Sequence, residues 1–225
     1  MPPTRRPNPV PAIARRSRPL LEHVPAWLGK ALGDVRAGME KLAVARLVTD
    51  NGVPSLELSS PAFADGARMP ERFTADGDGV SPPLTWGMPP AGTAQLALLV
   101  EDADAPAPQP LVHAVVWGIP ADAGRLAEGA VIDDGAGTPE RDVGRNSYFR
   151  EGWLPPDPPT GHGPHRYAFQ LFALDAGAGD PGETPGRSAV LDAMAGHVLA
   201  AGVMIGTYSR GEDAPVGPVG AAAVA

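Results

Sequence analysis

The sequence predicts a mainly β, turn-rich domain, and three observations carry that expectation. With 28 Gly and 28 Pro in 225 residues, the chain has too many helix breakers for a helical bundle and calls for short strands joined by turns. Runs with strand character recur at Ser55 to Ser60, Gln95 to Asp102, Leu111 to Ile119, Tyr167 to Leu174 and Val203 to Tyr208, separated by loops rich in Gly, Pro and Asp. A hydrophobic content of 43% over this length builds one sizeable core.

Residues 1–19 are too rich in Pro and Arg to bury a core, so they read as a disordered basic tail. From Leu20 to about Leu47 the apolar residues Leu21, Val24, Leu28, Leu32, Val35, Met39 and Leu42 recur at three- and four-residue spacing. This predicts an amphipathic helical extension over 20–48, whose stripe is covered by its own domain or by a second copy of the chain in a homodimer. Turn chemistry at Thr49 to Pro54 separates it from a main domain over 55–212, and 213–225 reads as a flexible tail. Inside the domain a second helix is expected from Ser188 to about Ala201, ending at Gly202.

The formal net charge of -8 hides an asymmetry, because Arg5, Arg6, Arg15, Arg16 and Arg18 all precede the first acid, Glu22. An acidic body argues against nucleic acid as a partner. Nowhere do eighteen apolar residues run together, so no membrane span is expected. The chain has no Cys, which removes thiol nucleophiles, zinc-thiolate sites and disulfides and fits a reducing cytoplasm.

Chemistry-bearing residues fall in three segments. In VEDADAP, period-two geometry puts Asp102 and Asp104 on one side as the chain leaves the sheet, although for the segment taken alone a solvated loop in which Asp caps its own turn is the favoured reading. His113 stands in the almost wholly apolar LVHAVVWGIP and needs a partner, whether as a structural group or as a ligand contact. In PPTGHGPHRYAFQLFALD, alternation puts His165 and Tyr167 on one face and Arg166 on the other. His162 and His165 sit in a Gly-Pro loop with no third ligand at a metal spacing, so no metal and no cofactor are expected. DGDG at 76–79 lacks the closing Glu of a calcium loop and reads as a turn presenting Asp76. Trp86 and Trp117 are core candidates by default, with Trp86 the better pocket wall.

Taken in order, SPAFADGARMPERFTADGDGVSPPLTW, LALLVEDADAP, VHAVVWGIP, PPTGHGPHRYAFQLFALD and GHVLAAGVMIGTYSR make the chain recognisable over roughly Leu56 to Arg210. It resembles the phosphatidylethanolamine-binding protein family, specifically its bacterial Raf-kinase-inhibitor-like branch. The resemblance implies a β-sandwich-like fold with few peripheral helices and a pocket at one end that accepts phosphate-like small anions. By position, the family's pocket residues fall on Asp76, Pro82, Trp86, Asp102, Asp104, His113, His165 and Tyr167. Three departures stand out. Ala103 sits where the family has Pro, Ala114 where it has Trp, and Pro155 where it commonly has Gly, which removes a backbone N–H.

Three functions compete. The first is a small-anion-binding module that modulates a protein partner, as kinase- or protease-inhibitor-like relatives do. The second is a hydrolase with His113 or His165 as general base oriented by Asp102 or Asp104. The third is an interaction-only protein working through its N-terminal helix. No G-x-S-x-G elbow, phosphate-binding loop, H-E-x-x-H or dinucleotide fingerprint is present, which weighs toward binding over catalysis.

Overall fold

The computed structural model describes residues 30, 32, 34–48, 52–133 and 142–211. The basic tail 1–19, most of the extension before Asp34 and the tail 213–225 lie outside the described residues. Eight strands follow in chain order: β1 Leu58–Ser59, β2 Leu84–Trp86, β3 Gln95–Asp102, β4 Leu111–Pro120, β5 Arg125–Leu126, β6 Asp142–Val143, β7 His165–Leu174 and β8 Val198–Tyr208. Among the described residues two short α-helices are complete, α1 Ala43–Leu47 and α2 Arg187–Met194.

The strands form two antiparallel sheets, one of five strands in the order β6-β4-β3-β7-β8 and one of three in the order β1-β2-β5. Alternation decides what each face of the large sheet meets. Leu96, Leu98 and Val100 of β3 and Phe169 and Leu171 of β7 face the small sheet, packing with Leu84, Trp86 and Leu126 in one core. Ala97, Leu99, Phe172 and Leu174 face the other way, against Val190, Leu191 and Met194 of α2 and Ala43 of α1. A sheet buried on both faces needs nearly continuous apolar strands, which is why β3 and β4 carry so few polar residues.

Four of the five expected strands sit where the sequence places them, with β7 and β8 starting earlier than read, and β1 covers only the middle of its expected run. The short strands β2, β5 and β6 have too few residues to show an alternation and were not anticipated.

Both helices need correction. Among the described residues of the extension, Lys30 is helical, 35–38 are not, a 3-10 turn covers Met39–Lys41, and Ala43–Leu47 is α-helical. Gly38 has φ 103, which no helical residue adopts, and the N–H groups of Ala37 and Gly38 donate to Ala105 and Ala103 O rather than back along a helix. The apolar spacing over 34–48 marks a segment laid on its own domain, with Leu42 and Ala43 fully buried. Helix α2 ends at Met194; Gly196 takes φ 81, and Val198 and Leu199, read as helical, open β8.

Among the described residues no helix is long and apolar enough to cross a membrane.

Candidate functional site

Antiparallel pairing brings the end of β3 and the starts of β4 and β7 to one edge of the large sheet, where Asp102 pairs with Leu111 on one side and Tyr167 on the other. Loops 75–79, 105–106 and 146–159 close over that edge, leaving a cavity of about 490 Å³. Asp102, His113, His165 and Tyr167 all line it.

His113 reaches the cavity through a β-bulge. Register passes from Val100 opposite Ala114 to Glu101 opposite Val112, so His113 is the unpaired extra residue. Val112 thereby joins Val115 and Trp117 on the helix-covered face, although simple alternation would separate them. A bulge re-aims one side chain, and here that side chain is the imidazole.

His113 is clamped to the facing loop, its Nδ1–H donating to Leu154 O (2.6 Å) while Leu154 N–H donates to His113 O (2.8 Å). With the proton on Nδ1, the buried Nε2 carries a lone pair and has no partner. Burial pushes His113 below its usual pKa of 6.5, outweighing the upward pull of Asp102. Tyr167 is completely buried, its ring edge-on to His113 with centroids 5.0 Å apart, and its hydroxyl also lacks a partner. Burial first, and then Asp102, raise its pKa well above 10, so the phenol keeps its proton.

Asp102 and His165 are occupied. Asp102 Oδ2 meets His165 Nδ1 at 2.7 Å, and Oδ1 accepts from Asp104 N–H at 2.8 Å. His165 Nε2 meets His162 Nδ1 at 2.7 Å, and His162 Nε2–H donates to Leu32 O at 2.8 Å. Both nitrogens of His165 and both oxygens of Asp102 are therefore spent inside the protein.

The other four residues do not line the cavity. The strand ends at Asp102 and a turn follows, which Asp102 caps by accepting from Asp104 N–H, so the two carboxylates do not converge; that of Asp104 takes Arg166 in a two-pronged ion pair (2.7 Å twice) and Arg36 at 2.9 Å. Burial alone would raise Asp104, but these guanidinium contacts hold it below 3.8. Asp76 binds Arg210 and Tyr208 Oη while its neighbours Ala75 and Gly79 line the wall. Pro82 is buried beside β2, and Trp86 is a core residue of β2 whose buried Nε1 has no partner.

Sequence reasoning missed the residues that hold the walls together. Arg210, 8% exposed, bonds Asp76 from one loop and Asp157 and Pro158 O from another. Asn146 orders the 146–152 turn, accepting from Tyr148 and Arg150 N–H and donating to Gly152 O. Trp153 stacks on Phe169 and donates to Phe73 O. A buried Arg closing an apolar strand and an Asn opening a turn carry no periodic signal, so only their partners reveal them.

A family model described as phosphatidylethanolamine-binding protein matches residues 59–209, the span that contains every residue lining the cavity. The chain belongs to the phosphatidylethanolamine-binding protein family. Its relatives include a UPF0098 protein of Methanothermobacter thermautotrophicus, 40% identical over 158 residues, which are 69% of this chain and all of that one. A Mycobacterium tuberculosis protein carrying the lipoprotein name LppC is 40% identical over 155 residues, 68% of this chain and 72% of its own. Among solved structures, the phosphatidylethanolamine-binding protein homologue CT736 of Chlamydia trachomatis has 33% identity and a TM-score of 0.62, covering 69% of this chain and 98% of that one. Escherichia coli YbcL, a bacterial member of the family, has 27% identity and the same TM-score over the same share.

Proposed function

We propose that the cavity binds a small oxyanion of the phosphate type, held by Tyr167 Oη and His113 Nε2. One observation carries this reading: two residues that line one cavity each hold a buried polar atom without a protein partner, and such atoms are costly unless a ligand or water satisfies them. Carboxylates would repel an anion, yet Asp102 is matched by His165, Asp157 and Asp76 by Arg210, and Asp104 by Arg166 and Arg36. Arg150 and Glu151, adjacent in the lining, add one charge of each sign.

The donor set narrows the ligand. Tyr167 donates, while neutral His113 accepts, so the bound group carries a proton opposite Nε2 or delivers one to it; a hydrogen phosphate ester does either. Calorimetric titration of phosphate and phosphoethanolamine tests this. Saturable binding that is lost in Tyr167→Phe and His113→Ala supports it, and heat that the variants do not change overturns it.

Acid-base catalysis is the second reading, favoured by the same unprotonated His113 Nε2. Turnover of phosphoesters or acyl esters that vanishes in His113→Ala would establish it, and inactivity on both classes removes it. By kinship with inhibitor-like relatives, an occupied pocket is read as modulating a protein partner, tested by co-purification with and without saturating phosphate. A cytoplasmic location, with which the lack of Cys is compatible, is part of this reading, and cell fractionation tests it against an envelope location.

A further inference from the structure

We propose that Leu32 and residues 34–38, which precede the family-matched region, fix the tautomer of His162 and, through it, withhold His165 from the ligand. The proposal deepens the anion-pocket reading, but its test uses no ligand, so the two can fail separately.

Proton accounting along one chain of contacts carries the argument. Leu32 O can only accept, so the proton at that contact belongs to His162 Nε2 (2.8 Å). A neutral His162 then offers a lone pair at Nδ1, and the 2.7 Å contact with His165 Nε2 requires the proton to sit on His165. The remaining contact, His165 Nδ1 to Asp102 Oδ2 at 2.7 Å, holds one further proton. Three contacts thus hold three protons, and both nitrogens of His165 are committed. Burial and the neighbouring His165 lower the pKa of His162, in keeping with the neutral ring.

Arg36 is the clasp that keeps Leu32 in place. It donates to Pro164 O at 3.1 Å and reaches His162 O at 3.5 Å, and it pairs with Asp104 at 2.9 Å, so both ends of the His162–His165 turn are gripped. Ala37 and Gly38 N–H donate to Ala105 and Ala103 O, on the loop whose Ala105 lines the cavity. The charged and titratable groups facing the two imidazoles are Arg36, Asp102 and His113, and Tyr167 stacks on His165. His162 and Arg36 are positioning residues; they do not line the cavity.

Long-range proton–nitrogen NMR correlation on the full chain labelled with ¹⁵N-histidine reads each tautomer directly. In the unsubstituted protein His162 is expected as a single Nε2–H tautomer and His165 with Nε2 protonated. Arg36→Ala should convert His162 to averaging tautomers. His162→Phe should change the His165 Nε2 signal, and His162→Gln, whose amide can accept from His165 and donate to Leu32 O, should restore it. An Nδ1–H tautomer of His162 in the unsubstituted chain, or His165 signals indifferent to all three variants, overturns the proposal. Unaltered amide spectra elsewhere identify variants that fold.

Discussion

At the scale of single residues, Tyr167 separates binding from stability. Its hydroxyl bonds nothing in the protein, so Tyr167→Phe removes an unsatisfied buried group. Thermal or urea unfolding should show stability unchanged or raised by up to about 1 kcal/mol, while phosphate affinity falls at least tenfold. A marked loss of stability would mean that the hydroxyl has a structural partner. His113 makes a second prediction, with opposite signs for folding and binding. Its folded pKa lies below 6.5, so in acid the unfolded chain takes up a proton that the folded one refuses. Stability should therefore fall as pH drops below 6.5, by at most about 1.4 kcal/mol per pH unit from this group. His113→Gln should flatten that slope in unfolding curves at several pH values. Oxyanion binding favours the imidazolium, so it should take up as much as one proton and weaken as pH rises; calorimetry in buffers of different ionisation heat counts that proton.

At the scale of elements, the buried Glu101 joins four pieces of the fold. It accepts from Arg187 of α2 (2.5 Å), from Gln170 of β7 (2.8 Å) and from Ala43 N–H at the start of α1 (2.7 Å), while extending from β3. Arg187 also donates to Lys41 O. Removing one partner of such a pair strands the other, so Glu101→Leu alone should cost about 3–5 kcal/mol in denaturant unfolding. The double variant with Arg187→Met should recover much of that loss, and equal costs for the single and double variants would show that the charges do not interact. The bulge at His113 works at the same scale. Asp102, His165 and Tyr167 reach the cavity through strand ends and alternation, and His113 through one extra residue in β4.

For the whole molecule, segment 34–48 is structural cover for the large sheet as well as a neighbour of the pocket. Leu42 and Ala43 are fully buried there, and burying a leucine side chain contributes about 1.5–3 kcal/mol. Deleting residues 1–48 should therefore lower the unfolding midpoint. Conversion of a dimer to an equally stable monomer, seen by sedimentation, would instead assign the segment to assembly. Phosphate at one hundred times its dissociation constant should raise stability by about 2.7 kcal/mol through mass action, and in Tyr167→Phe the same concentration should give no more than about 1.4 kcal/mol.

The sequence by itself determined the β-rich class, the central strands, the family and four residues of the cavity wall, because each rests on local information. Alternating apolar residues declare a strand, turn residues bound it, and ordered motifs at the strand ends survive as recognisable text. Apolar spacing at 34–48 was visible too, but a stripe records only that a face is buried; Gly38 and the carbonyls of Ala103 and Ala105 made 35–38 a strap and left the helix to Ala43–Leu47. Tertiary structure alone decided which polar atoms are left open. Asp104 went to Arg166, Asp76 to Arg210 and His165 to Asp102, partners distant in sequence, and to His162 close by, while Tyr167 Oη and His113 Nε2 kept no protein partner. Hydrogen bonds and ion pairs are settled by distances of a few ångströms between segments far apart along the chain, and no periodicity encodes them.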